Sequence, residues 1–147
     1  MVKFSFLAAH LFFGVGGNLF AIASLHFLLL GKQVKMVRFS FFEFLCSLLT
    51  VVSGACYYIF YYQPDKIKII TGKFPAAHNV FMEVKEHAFI MFFLISIYLQ
   101  FRIFFTVNLE SPNFKAESKM VLISIILLGL LMSVTGFMVN TGFRINQ

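Results

Sequence analysis

Residues 4–30 form the stretch FSFLAAHLFFGVGGNLFAIASLHFLLL, which contains no Asp, Glu, Lys or Arg. A helix needs roughly 20 consecutive apolar residues to cross a bilayer, and this stretch is longer. Three more apolar stretches of similar length follow it, at about 37–62, 80–107 and 120–143. Because a segment in lipid must satisfy its own backbone hydrogen bonds, each of the four is predicted to be a transmembrane helix.

The whole-chain composition indicates the same class. Of the 147 residues, 60% are hydrophobic and 12% are charged, whereas soluble domains carry about 25% charged residues. The chain has 22 phenylalanines and no tryptophan, and a water-soluble protein of this size could not bury so much apolar surface. We therefore predict an all-α integral membrane protein, multi-pass, in a bacterial inner membrane or an equivalent bilayer.

Short connections place the predicted helices in a single domain that covers the whole chain. The connections are residues 31–36, 63–79 and 109–119. All three prolines fall in them, as expected of residues that break helices: Pro64, Pro75 and Pro112. These lengths predict a four-transmembrane-helix bundle with up-down-up-down topology. An even number of spans puts both termini on the same side of the membrane.

The net charge of +6 arises from both flanks of the predicted bundle. One flank carries Lys32, Lys35, Arg38, Arg102, Lys115 and Lys119, and the other carries Lys3, Lys66, Lys68, Lys73, Lys85 and Arg144. Because the two flanks carry equal numbers of basic residues, the positive-inside rule leaves the orientation open. The concentration of basic residues in the short turn GKQVKMVR, residues 31–38, favours a cytoplasmic location for the flank that contains it. No basic cluster with interleaved aromatics stands apart from the spans, so nucleic acid is not an expected partner.

Two histidines are the leading functional candidates. His10 lies about two turns inside the first span, and His87 lies at a similar depth in the third span. An ionisable side chain in hydrocarbon is costly and is a functional-site candidate by default. The first and third spans run in the same direction, so His10 and His87 would lie on the same side of the bilayer. There the pair could provide the axial ligands of a buried haem. The charges beside His87 also allow an interfacial position for it.

A stripe of small residues follows His10 along the first span, at Gly14, Gly17, Ala21 and Ser24. Such a stripe allows close helix packing, and it would equally leave room for a flat macrocycle beside an axial histidine. A zinc site would need a tetrahedral set of nitrogen and sulfur ligands, and the chain has no Glu-x-x-His motif of a di-iron site. Haem b needs one or two axial ligands and an apolar shell. We therefore predict haem b, with His10 and His87 as the iron ligands.

A second group of ionisable residues is expected at the opposite end of the bundle. His26 lies near the end of the first span, and Glu43 lies across the short turn from it. They could form an ion pair or a proton relay, and Arg102 is a rival partner for Glu43. Glu43 also begins a polar stripe along the second span, which continues with Ser47, Thr50, Gly54, Tyr57 or Tyr58, and Tyr61. This stripe must point into the bundle, at a quinone or at a partner protein.

The stretch HLFFGVGGNLF, residues 10–20, together with FMEVKEH, residues 81–87, resembles small four-helix membrane haem proteins. The families that it resembles are the HemJ-type protoporphyrinogen oxidases and their copper-resistance-D-like relatives. The resemblance covers mainly the first and third spans. It implies a haem b protein in which His10 is an axial ligand and Lys85 is a functional lysine.

The sequence thus supports three hypotheses about function. The first is a membrane b-type haem protein that acts in electron transfer, as an oxidoreductase or an oxidoreductase subunit. The second is a cofactor-free accessory subunit of a larger respiratory or transport complex, in contact with lipid and with other membrane subunits or further copies of itself. The third is a quinone-site protein that uses the polar face of Glu43 and Tyr57.

Overall fold

The computed structural model describes the backbone of residues 2–145 and, apart from positions 2–4, 64–65 and 142–143, their side chains. Its helices are α1 (Val2–Leu29), α2 (Gln33–Tyr57), α3 (Gln63–Ile70), α4 (Glu83–Phe105) and α5 (Pro112–Ile145). A π-helical segment, Tyr58–Tyr62, continues α2, and another, Ala77–Met82, leads into α4. The part of the chain that the structure describes contains no β-strand. The predicted all-α class is confirmed.

Four of these helical stretches are long and apolar enough to cross a membrane, as the sequence predicts. They are Ser5–Leu29, Gln33–Tyr62, Ala77–Phe105 and Pro112–Thr141. The fourth begins well before Met120, where the hydropathy pattern placed its start. The extra turns carry Lys115, Glu117 and Lys119, so they are helical without being apolar.

Pro112 begins a membrane-spanning stretch, so the prediction that it lies in a connection is wrong, whereas Pro64 and Pro75 do lie between two such stretches. Pro112 is the first residue of α5, and Pro64 lies in the first turn of α3. The backbone amides of a first helical turn have no intrahelical acceptor, so a residue without an N–H is tolerated there. Pro75 does lie in a turn between helices.

A tight turn joins α1 to α2 as a hairpin. Gly31 adopts a left-handed backbone with φ of 70°, and its N–H donates to the Leu28 carbonyl at 3.0 Å. The Lys32 N–H donates to the Phe27 carbonyl at 2.9 Å. This pair of bonds is a Schellman motif, which ends a helix and favours glycine at its left-handed position.

Helix α2 runs antiparallel to both α1 and α4. Ser24 Oγ of α1 donates to the Met36 carbonyl near the start of α2, whereas His10 contacts Thr50 further along α2. Gln100 of α4 donates to the Ser40 carbonyl, and Ser96 of α4 donates to Glu43 further along α2, so these two helices are antiparallel. Helix α5 packs on both α4 and α1. The four long helices therefore enclose one interior.

Large apolar side chains cover the outside of this bundle. Phe12, for example, is 73% exposed and Phe104 is 81% exposed. The interior instead holds many small and polar side chains, among them Ser24, Ser40, Ser47 and Ser96. This is the distribution expected when the solvent is lipid, because hydrocarbon outside gives no reason to bury phenylalanine.

Candidate functional site

His10 lies on the face of α1 that packs against α2. Its Nδ1 is 3.1 Å from the Thr50 carbonyl oxygen, and the ring is half-buried. Because a carbonyl only accepts hydrogen bonds, this contact places the imidazole proton on Nδ1. The other ring nitrogen, Nε2, then carries the lone pair that binds a metal.

A glycine on α2 makes room for the His10 ring. A Cβ atom at Gly54 would lie 2.7 Å from His10 Nδ1 and 2.8 Å from its Cε1. Those distances are closer than van der Waals contact, so any larger residue would push the ring away. The sequence placed Gly54 on the polar stripe of the second span but did not link it to His10. No sequence pattern connects it to His10, because the contact spans two helices.

Lys85 brings positive charge to the neighbourhood of His10. It interacts electrostatically with His10, and its Nζ is 3.7 Å from the position of a Cβ at Gly136 on α5. It also interacts with the neighbouring Glu86 carboxylate. The histidine and lysine that the family resemblance singled out thus lie in one region of the bundle.

His87 does not join this region. It is exposed, and its Nδ1 donates to the Glu83 carbonyl one turn earlier in α4, at 2.7 Å. Its side chain lines a shallow groove with Leu128 and Leu131 of α5. Two residues along a helix correspond to a rotation of about 200°, so Lys85 can face inward only if His87 faces outward. The structure does not bring His10 and His87 together as a pair of axial ligands.

Helix α2 packs directly against the predicted stripe of small residues on α1. A Cβ at Gly14 would lie 3.8 Å from Thr50 Cγ2, and one at Gly17 would lie 3.4 Å from Cys46 Cβ. These two glycines therefore serve helix packing in this structure, which is the first of the two interpretations the sequence allowed. They do not line an open space beside His10.

The three ionisable residues predicted near the other end make separate contacts. His26 is exposed, with its ring 5.5 Å from that of Phe27. Arg102 Nε donates to both carboxylate oxygens of Glu117, at 2.9 and 3.0 Å. The sequence missed Glu117, because it lies in the turns of α5 that were assigned to a connection. Glu43 has neither His26 nor Arg102 as a hydrogen-bond partner.

Glu43 is instead enclosed in the middle of the bundle, with 0% of its surface exposed. Its Oε1 accepts hydrogen bonds from Ser47 Oγ and Ser96 Oγ, each at 2.8 Å. Its Oε2 is buried and has no hydrogen-bond partner within the described residues. A carboxyl group with one satisfied and one unsatisfied oxygen is unusual in a protein interior.

A tyrosine–histidine pair lies near the opposite end from Arg102. Tyr62 Oη and His78 Nδ1 are 2.8 Å apart, and both residues are buried. The Tyr58 ring stacks on that of Tyr62 at 5.3 Å between centroids. The four-residue spacing of the tyrosines signals the stacking, but the partnership with His78 depends on how the connection folds back.

Comparisons with known proteins give no match: no family model, curated protein or solved structure is significantly similar to this chain. The resemblance to HemJ-type proteins therefore stays a prediction from residues 10–20 and 81–87. Within the described part of the chain, no cluster of three or more His, Cys, Asp or Glu side chains could hold a metal ion. Haem iron does not need such a cluster, since one axial ligand suffices.

Proposed function

We propose that this chain is an integral membrane haem b protein that acts in electron transfer. The four long helices would span the bilayer in up-down-up-down topology, with both termini on the same side. What supports insertion is the combination of four apolar helices and an outer surface of exposed phenylalanine and leucine.

The hydrogen bond from His10 Nδ1 to the Thr50 carbonyl carries the haem proposal. Metal-binding histidines characteristically donate their other ring N–H to a carbonyl or carboxylate, which selects the tautomer and increases ligand basicity. The bond also holds the ring against Gly54, so the imidazole is oriented before any ligand arrives. His10 thus has the donor atom and the orientation of an axial ligand.

Lys85 contributes charge to the same proposal. Haem carries two propionate groups, and a lysine in an apolar setting is a suitable counter-ion for an anionic group. Lys85 would hold a propionate, and His10 would hold the iron. Bound haem would supply one-electron redox chemistry. His87 is not required, because one axial histidine suffices.

The test is the absorption spectrum of the purified protein in detergent, before and after dithionite reduction. We expect Soret and α bands of haem b in the wild-type protein, either as isolated or after addition of hemin. The His10→Ala variant should lose these bands. His87→Ala is the matched control and should retain them, since His87 lies on the outer face of α4.

Two outcomes would overturn the proposal. One is a wild-type protein that neither contains nor takes up haem. The other is a His10→Ala variant whose haem content and spectrum equal those of the wild type. Circular dichroism and size-exclusion chromatography of each variant show whether a loss of haem reflects a loss of fold.

A further inference from the structure

The unsatisfied oxygen of Glu43 has a counterpart on α1. Asn18 Oδ1 is also buried and has no hydrogen-bond partner within the described part of the chain. Two buried acceptors without donors are costly, since each has lost its hydrogen bonds to water. Both belong to helices that enclose the same interior.

The two groups lie at one level of the bundle. Gly17, the residue before Asn18, is placed so that its Cβ would lie 3.7 Å from the Glu43 carbonyl oxygen. Asn18 itself faces α5, where a Cβ at Gly129 would lie 2.6 Å from Asn18 Oδ1. Ser96 brings α4 to the same level through its bond to Glu43. We call the set Asn18, Glu43, Ser47, Ser96 and Gly129 the Glu43 layer.

This layer lies deep in the predicted membrane. Glu43 follows Gln33, the first residue of α2, at a distance of about 15 Å along the helix axis. Ser96 precedes Phe105, the last residue of α4, by about 14 Å. The stretch Gln33–Tyr62 has 30 residues, or about 45 Å of helix, so the layer lies about one third of the way along it. This position is inside a hydrocarbon core of about 30 Å, nearer to the end that carries Arg38 and Arg102.

Charged neighbours do not stabilise an ionised Glu43. The described ion pairs do not include it, and its hydrogen-bond donors are two neutral hydroxyl groups. The layer residues contributed by α1, α4 and α5 carry no charge, and Cys46 of α2 is the titratable side chain that interacts electrostatically with Glu43. An unpaired carboxylate in such surroundings is strongly disfavoured.

We propose that Glu43 is a proton-binding site in the interior of the bundle, with the proton on Oε2 and Asn18 Oδ1 as its acceptor, directly or through one water molecule. A proton turns Oε2 from an acceptor without a donor into a donor, and it gives Asn18 Oδ1 the donor that it lacks. Hard divalent cations such as Ca²⁺ take about six to eight oxygen ligands, whereas the layer offers two unpartnered oxygens. Buried carboxyl groups of this kind form proton pathways in membrane proteins.

Infrared spectroscopy of the full chain in lipid vesicles at neutral pH tests this proposal. The spectrum of the wild type minus that of Glu43→Gln should contain the carbonyl stretch of a protonated carboxyl group. The same difference taken with Glu117→Gln is the matched control. It should contain carboxylate bands instead, because Glu117 is paired with Arg102.

The Asn18→Ala variant tests the acceptor. Loss of the hydrogen bond should shift the Glu43 carbonyl stretch to higher frequency without removing it. Ser96→Ala removes a donor to the other oxygen, and it should also move the band, which shows that the method detects changes at this carboxyl group.

Three results would overturn the proposal. The first is a set of carboxylate bands in the wild type minus Glu43→Gln spectrum. The second is a Glu43 band that Asn18→Ala leaves unchanged while Ser96→Ala moves it. The third is conversion of the protonated band to carboxylate bands on addition of NaCl at constant pH, since it would identify the ligand as a metal cation. The test does not depend on haem, so it stands or fails separately from the proposed function.

Discussion

Replacing Gly17 by leucine is expected to separate α1 from α2 and to destabilise the protein by about 3 kcal/mol. A Cβ at this position would already lie 3.4 Å from Cys46 Cβ and 3.7 Å from the Glu43 carbonyl oxygen. Leucine adds three more carbon atoms in the same direction, towards the backbone of α2. Backbone cannot move aside as a side chain can, so the two helices must part.

The effect of Gly17→Leu should appear in unfolding experiments in detergent, followed by circular dichroism as SDS or temperature is increased. Gly14→Ala is the matched control on the same face of α1. Its Cβ would make an ordinary contact of 3.8 Å with Thr50 Cγ2, and alanine favours helix by up to about 1 kcal/mol over glycine. This variant should be as stable as the wild type. Wild-type stability of Gly17→Leu would show that α1 and α2 do not pack as described.

The second large effect is expected at Gly54, where the His10 ring packs against α2. Gly54→Ala introduces a Cβ that would lie 2.7 Å from His10 Nδ1, so the ring must turn and its bond to the Thr50 carbonyl must weaken. Loss of the group that orients a metal-binding histidine typically lowers metal affinity about 10–100-fold. We expect a decrease of that size in haem affinity, measured by titration of the apoprotein with hemin.

A steric change of equal severity elsewhere provides the control for Gly54→Ala. Gly129→Ala would bring a Cβ to 2.6 Å from Asn18 Oδ1, in the Glu43 layer and away from the His10 ring. It should leave haem affinity unchanged, although it strains the bundle in a similar way. Equal losses in the two variants would mean that general loosening, and not the orientation of His10, controls haem binding.

The four long helices were predictable because each contains a long stretch of apolar residues. In lipid, a single stretch of more than 20 apolar residues satisfies its own backbone hydrogen bonds only as a helix. The turn at Gly31 is local as well, since one residue with positive φ ends α1 and begins the hairpin. By contrast, the start of α5 at Pro112 was missed, because its first turns are helical but charged and hydropathy detects only the apolar part.

The candidate sites show where prediction from sequence failed. His10 and His87 have similar depths, and depth follows from counting residues along each span. Whether they face each other depends on how each helix is rotated about its axis, and the all-round apolar surface of these helices gives little indication of that rotation. The same uncertainty hid the contact between Gly54 and His10. Glu117 was missed for another reason, since the first turns of α5 were assigned to a connection.

Glu43 shows both what the sequence indicates and what only the tertiary structure decides. Its position within an apolar stretch marks it, from sequence alone, as a costly and therefore meaningful group. Only packing decides its partners, which are Ser47 one turn away on the same helix and Ser96 on a helix that is 53 residues away in sequence. The sequence by itself determined the four apolar helices and the position of each ionisable group along them, because these depend on neighbours along the chain. The tertiary structure decided which of those groups meet, because contact across a bundle depends on helix rotation and close approach, to which residues of several helices contribute.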